Sequence, residues 1–316
     1  MNQQLAQLKG RIQDTFGIGI TDEDEKIRRD AQATYKQAGT FQGKVNLLLF
    51  SGWLALKGIP IERKSLMEKG SGYYHAMALV GSGYLKVDFK RRQVSLRHKG
   101  KNVTLAYGNP RFFRGICCIA TTFFFSNEEA HKDAEAVIDI GSTSGEYAIM
   151  AALDGKKAYA VEPYPFPFSL IKENIRLNSL EGKVVPLNVA IAGKKGKIML
   201  DANFMDTIGA SLHSSAGKAE IEAITIADLV GLTAGERFML KCNVEGHEKE
   251  IFADAAMNEQ ALRNCVSARI AWHYKEYPQE LLDRLPKYIE AEVIKGLPLV
   301  TGDHPYTIIL KQKAMQ

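Results

Sequence analysis

Two hydrophobic rhythms divide the chain. From Ala134 onward, short apolar runs rich in Val, Ile and Ala alternate with amphipathic stretches, which is the pattern of strands and helices taking turns. The pattern predicts strands at Ala136–Ile140, Ala158–Glu162, Val184–Val189, Phe238–Asn243, Cys265–Ala271, Ile289–Ile294 and Thr307–Leu310. Between them it predicts helices at Glu146–Leu153, Phe166–Asn178, Thr225–Val230, Lys249–Ala256 and Pro278–Leu285, with one extra hairpin at Lys194–Asp201. Such an order builds a mostly parallel, doubly wound sheet, with ligands above the carboxyl ends of its strands near the switch point of strand order.

The front of the chain reads differently. Thr21 as N-cap, acids in the first turn and Gly39 as stop predict a helix over Asp22–Ala38, and Val45–Lys57 reads as a second, nearly all-apolar helix stopped by Gly58 and Pro60. From Tyr73 to Leu105 the period shortens toward alternation, with Gly81-Ser82-Gly83 and Lys99–Asn102 as turns, so hairpins are expected there until Gly108-Asn109-Pro110 ends them. The polar segment Ser126–Asp133 reads as the boundary or as a connecting helix into the large domain. The expected organisation is a small α+β domain over residues 1–130 and an α/β domain over 131–316.

Composition supports a globular chain without excluding either domain: 46% hydrophobic and 24% charged residues, with mean hydropathy -0.16, leave no deficit of core formers. The most apolar stretches, Val45–Leu56 and Ile116–Phe125, fall short of the roughly 20 residues that cross a bilayer. The first residues carry no basic-then-apolar signal, so a cytoplasmic protein is expected. Cys117, Cys118, Cys242 and Cys265 have no C-x-x-C spacing and the histidines form no cluster of metal-ligand spacing, so no metal is expected and the thiols read as reduced core residues.

Charge changes the picture of the front domain. Residues 1–130 hold 20 Lys and Arg against 11 Asp and Glu, although the whole chain is only +5. Lys86, Lys90, Arg91, Arg92, Arg97, Lys99, Lys101, Arg111 and Arg114 stand against Asp88 alone between 84 and 114, interleaved with Tyr84, Phe89, Tyr107, Phe112 and Phe113. A polyanion such as nucleic acid fits that stretch; the solvated face of a hairpin explains it equally well.

The candidate chemistry lies in Ala136-Val-Ile-Asp139-Ile-Gly141-Ser142-Thr143-Ser144-Gly145-Glu146, a strand ending in an acid, a glycine-bracketed turn and a helix start. Glu162, followed by Pro163, closes the next strand 21 residues beyond Gly141, where a carboxylate can accept both hydroxyls of a ribose. A dinucleotide fingerprint needs glycines at 141, 143 and 146, and here those positions are Gly141, Thr143 and Glu146. A glutamate there sets negative charge beside phosphates. S-adenosylmethionine (SAM), without phosphate and with a positive sulfonium, tolerates both changes. Asn188 and Ala190 lie at the end of the third strand, where the adenine would be bordered, and Lys241, Asn243, Glu245 and Glu248 crowd the end of the fourth.

With these residues in order, residues 134–311 resemble the FkbM family of SAM-dependent methyltransferases. The likeness rests on Asp139-Ile-Gly-Ser-Thr-Ser-Gly145, Glu162-Pro163, Asn174-Ile-Arg-Leu-Asn178, Asn188-Val-Ala-Ile191, Thr225-Ile-Ala-Asp-Leu229 and Leu240-Lys-Cys-Asn-Val-Glu-Gly-His-Glu248. Ser142-Thr143 and Asn243 depart from the family's Ala-Asn and Asp, and an amide at 243 cannot serve as a base. The resemblance implies a class I, Rossmann-like fold, SAM as cofactor and methyl transfer. It places Asp139, Gly141, Ser142, Thr143, Gly145, Glu146, Glu162, Pro163, Asn188 and Ala190 at the cofactor, and His273, Glu245, Asn243 and Lys241 at the chemistry, His273 leading as base. Asn243-Val-Glu-Gly stands where nitrogen-methylating enzymes often carry N-P-P-[YF], which favours a hydroxyl of a metabolite, glycan or lipid precursor as acceptor. The alternative is a tRNA or rRNA methyltransferase that uses the basic front domain to hold RNA.

Overall fold

The computed structural model describes residues 85–88, 90–98, 100–108, 132–201, 218–295 and 305–313. The expected front helices, the hairpin residues before 85, and Lys99, Arg111, Arg114, Cys117 and Cys118 lie outside them. The chain divides into two compact units, residues 1–87 and 88–316.

In the second unit, β4 (Ala136–Ile140), β5 (Lys157–Val161), β6 (Val184–Leu187), β10 (Phe238–Cys242), β11 (Cys265–Trp272), β12 (Ile289–Lys295) and β13 (Tyr306–Gln312) form one sheet in the order β12-β13-β11-β10-β4-β5-β6. All pairs are parallel from β11 to β6, and β13 runs antiparallel between β11 and β12. Every residue of β4 and β10 is buried, which explains why these strands read as unbroken apolar runs: both faces are covered. Helices α1 (Glu146–Leu153), α2 (Pro165–Leu177), α3 (Ile226–Gly231), α4 (Glu248–Ile251), α5 (Ala255–Ala261) and α6 (Gln279–Leu282) supply the crossovers. The chain leaves β4 toward β5 and β6 and then returns to β10 on the other side, so the switch point falls between the carboxyl ends of β4 and β10. This is the doubly wound, mostly parallel sheet that the alternation of strands and helices predicts.

Three details differ from expectation. The extra hairpin is strand β8 (Gly196–Asp201) paired with β9 (Lys218–Ile224), and β9 in turn pairs with the short β7 (Ala190–Ile191) in a separate three-stranded sheet. The single helix expected at 249–256 is two, because Asp254 leaves helical geometry and its carboxylate accepts from Met257 N at 2.8 Å, starting α5 afresh. Finally β1 (Leu85–Asp88) spans the unit boundary, while β2 (Gln93–His98) and β3 (Lys101–Ala106) form an antiparallel hairpin inside the second unit, where the sequence reading assigned this segment to a front domain ending near 130.

Candidate active site

The turn after β4 is held from three directions. Gly141 and Ser142 both donate backbone N–H to the Val161 carbonyl at 3.0 Å, tying the turn to β5. Ser142 Oγ donates back to the Asp139 carbonyl at 2.7 Å, and Thr143, at φ 56, donates its N–H to Glu162 Oε2 at 2.9 Å. Beneath the turn, Lys241 on β10 sits in register with Asp139 on β4, its Nζ 2.8 Å from Asp139 Oδ1 and 2.7 Å from the Gly141 carbonyl. Lys241 and Asp139 are both buried. Lys241 therefore bonds the strand-end acid and the turn carbonyl together and props the turn.

Gly145 begins α1 at φ 82, Ser144 Oγ bonds Glu146 Oε1, and Glu146 is itself enclosed. Burial pushes the Glu146 carboxyl up to about 7, against the lowering pull of the Ser144 bond. Glu162, at the end of β5, receives Thr143 N on one oxygen and Tyr164 N at 3.0 Å on the other. Its burial also raises it to about 7 despite those two amides. Asn188 Nδ2 donates to the carbonyls of Glu162 and Pro163 at 2.9 Å each, so it fixes the loop that carries the acid. Ala190 is buried at the start of β7, paired with Ala223.

On the other bank of the crevice, Asn243 N donates to the Ile140 carbonyl at 3.0 Å. Glu245 follows with left-handed backbone, φ 54. His273, just beyond β11, is clasped between two carboxylates: Nδ1 lies 2.8 Å from Glu248 Oε1 and Nε2 lies 3.4 Å from Glu245 Oε2. Glu248 is fully buried, whereas the Glu245 side chain keeps 23% of its surface open. Burial works against the imidazolium, but the bond to Glu248 and the charge of Glu245 outweigh it and raise the His273 pKa. Tyr274 OH donates to the Gly246 carbonyl and braces the same loop.

The sequence reading left two parts of this arrangement unassigned: Glu248 as the partner of His273, and Asn174, whose Nδ2 donates to the Ser144 carbonyl at 2.9 Å from α2. Of the basic residues, Lys90, Arg91, Arg92, Arg97 and Lys101 are exposed in the second unit and Lys86 is exposed in the first.

The donor set fits a cationic, phosphate-free cofactor. Asp139 Oδ2, Glu146 Oε2 and Asn243 Oδ1 are buried acceptors without a hydrogen-bond donor among the described residues, and Asp139, Glu146 and Glu162 stand around one cation, Lys241. A ligand bringing N–H donors and positive charge satisfies them; a pyrophosphate would face net negative charge. Among the described residues no group of His, Cys, Asp and Glu could hold a metal ion, and no helix is long and apolar enough to cross a membrane.

Fold, turn and donor set together define a class: the second unit has the class I fold of SAM-dependent methyltransferases, with SAM as the cofactor. More particularly, residues 127–217 match the TRM5/TYW2 methyltransferase domain. Among curated proteins, the chain is 31% identical over 112 residues to the tRNA (guanine(37)-N(1))-methyltransferase Trm5b of Methanocaldococcus jannaschii, covering 33% of this chain and 32% of that protein. An uncharacterized protein of the same organism is 41% identical over 51 residues, covering 16% of this chain and 20% of that protein. The chain thus spans a third or less of the length of these relatives. The solved FkbM methyltransferase of Methylobacillus flagellatus is 11% identical with a TM-score of 0.42, covering 80% of this chain and 58% of that one.

The clasp on His273 makes a pH prediction. Its pKa is raised in the folded protein, so the clasp contributes stability that is full below the unfolded value near 6.5 and is lost as pH rises through the higher folded value. In Glu248→Gln the main raising bond is gone and burial remains, so the melting temperature should lose that alkaline decline. Thermal scans from about pH 6 to 9 compare the two; identical pH profiles would remove the clasp.

Proposed function

We propose that this chain is a SAM-dependent RNA methyltransferase, with tRNA as the substrate class to test first. The observation that carries the reading is the extent of the domain match: residues 127–217 include the whole turn from Asp139 to Gly145, Glu162 and Asn188. The 31% identity to Trm5b supports tRNA in particular.

In this reading the chain's residues divide the labour by bank. Glu162 accepts the ribose hydroxyls, and Asn188 holds its loop in place through the Glu162 and Pro163 carbonyls. Asp139 and Lys241 set the height of the turn, and Ser142, Thr143 and Glu146 give it polar lining. SAM supplies an electrophilic methyl group on a positive sulfonium. The protein's own contribution is alignment and exclusion of water. On the acceptor bank, both imidazole nitrogens of His273 face carboxylates, so Glu245, the partly open member, is the group able to meet an acceptor N–H or O–H, and His273 orients it. This reverses the order expected from sequence, where His273 led.

A second reading, hydroxyl methylation of the FkbM kind, is favoured by Asn243-Val-Glu-Gly at the strand end and by the Glu245 carboxylate beside it. Tritiated SAM incubated with the purified protein and separate pools of unmodified tRNA transcript, ribosomal RNA, glycans and small metabolites decides between them. Label in tRNA is expected. Label confined to glycans or metabolites would replace the RNA reading with the hydroxyl one, and no label anywhere would remove both.

A further inference from the structure

The β2–β3 hairpin is bolted to the methyltransferase unit by side chains rather than by a neighbouring strand. Thr104 N donates to Asn178 Oδ1 at 2.9 Å while Asn178 Nδ2 donates to the Thr104 carbonyl at 2.7 Å. Two residues on, Ala106 N donates to Asn174 Oδ1 at 2.5 Å, and Asn174 Nδ2 is 3.3 Å from the Ala106 carbonyl. Each amide does for β3 what one residue of a paired strand would do. The geometry allows it because four residues of helix advance about 6 Å and two residues of strand about 6.8 Å, so positions 174 and 178 on α2 keep step with 104 and 106 on β3. The Asn-Ile-Arg-Leu-Asn segment is therefore a clamp for a strand edge.

The clamp reaches the cofactor turn. Asn174 bonds β3 and the Ser144 carbonyl with the same amide, so a single buried side chain joins hairpin and turn. A second anchor lies at the far end of the hairpin: His98 Nε2 is 2.6 Å from Asp154 Oδ1, and Lys101 Nζ donates to the Leu153 carbonyl at 2.8 Å, at the carboxyl end of α1. The apolar positions Val94, Leu96, Val103 and Leu105 are buried. Facing outward from this fixed platform are Lys90, Arg91 and Arg97, all exposed; Arg91 pairs loosely with Asp88 at 3.7 Å, and Arg97 lies 3.5 Å from the Gly100 carbonyl. Asp88 is the one acid between residues 84 and 114.

We propose that this hairpin is the docking surface for the RNA phosphate backbone, built into the methyltransferase unit itself and set at a fixed position relative to the cofactor turn by the Asn174 and Asn178 clamp. The proposal rests on the RNA reading above and adds where the polyanion lies. A solvated hairpin face needs no clamp onto the cofactor turn. A surface that has to present a distant nucleotide to the crevice does, since an error in placement is carried to the reacting atoms.

The test uses the full chain, an unmodified tRNA transcript, and filter binding from about 50 to 200 mM salt without SAM. Three variants at once, Lys90→Gln, Arg91→Gln and Arg97→Gln, lie on exposed positions and should leave the melting temperature unchanged. Each lost phosphate contact should reduce the slope of log affinity against log salt by about 0.7–0.9, so the triple variant should lose roughly 2 units of slope and at least tenfold in affinity. A control of equal charge, Lys183→Gln with Lys194→Gln and Lys287→Gln, should change neither. Wild-type binding with an unaltered slope in the hairpin variant, or an equal loss in the control, would overturn the docking surface and leave the RNA reading standing. Failure of the wild type to bind tRNA at low salt would overturn both.

Discussion

Lys241→Met is expected to be the most destabilising single change in the second unit, lowering the melting temperature by roughly 6–20 °C. The reason is electrostatic and local. Asp139 is fully buried at the end of β4, and Lys241 Nζ, 2.8 Å away, is the cation in contact with it. Removing one partner of such a pair strands the other's charge and costs about 3–5 kcal/mol, far more than the pair itself is worth against an apolar substitute. The second bond from Lys241, to the Gly141 carbonyl at 2.7 Å, is lost with it, so the cofactor turn should loosen as well. One comparison makes the cause visible in calorimetric or circular-dichroism melts. Asp139→Asn combined with Lys241→Met should recover much of the stability, because neither charge is then buried. A double variant no more stable than Lys241→Met would mean that the lysine acts through packing.

The same pair illustrates what a sequence can and cannot disclose. Strand β4 and helix α1 were readable to the residue, because a strand covered on both faces is an unbroken apolar run and a glycine in left-handed geometry punctuates the helix start. That Glu162 comes back to the turn was readable from their spacing, and Thr143 N reaches its carboxylate at 2.9 Å. The commitment of Lys241 to Asp139 was not, since it follows from β10 lying beside β4, a neighbour relation separated by about a hundred residues of chain. The two-carboxylate clasp on His273 was hidden for the same reason, and so was the Asn174 and Asn178 clamp, whose partners on β3 lie 68 and 74 residues earlier. Strand β9 is a different case. Lys-Ala-Glu-Ile-Glu-Ala-Ile alternates faithfully, and the structure buries Ile221 and Ala223 while exposing Glu220 and Glu222. That signal was present and went unread beside the stronger βαβ rhythm. The hairpin was grouped with the front of the chain by sequence proximity, and its bonds to α1 and α2 were hidden by the same long separations.

Gly141→Ala is expected to abolish measurable binding of S-adenosylhomocysteine and to destabilise the unit by at least about 1–3 kcal/mol. Two effects combine. Gly141 sits at φ +74, where a side chain is strained whatever the space around it. The space is also filled: an added Cβ would lie 1.9 Å from the Asn243 carbonyl oxygen, a backbone atom at the end of β10. A flexible side chain could swing aside, but this carbonyl cannot move without parting the carboxyl ends of β4 and β10, which Asn243 N holds together through the Ile140 carbonyl at 3.0 Å. The crevice would widen at the switch point, and Thr143 would be drawn off Glu162. Gly145→Ala is the informative companion, since it carries the same sign of φ, +82, but the nearest atoms to its Cβ would be side-chain atoms of Ile171 at 3.3–3.5 Å. If backbone strain alone governs the turn, the two alanine variants should lose affinity equally in calorimetric titration. If close approach of β4 to β10 shapes the crevice, Gly141→Ala should bind at least about tenfold more weakly than Gly145→Ala, a difference of about 1.4 kcal/mol. Wild-type affinity in Gly141→Ala would place the cofactor elsewhere in the molecule.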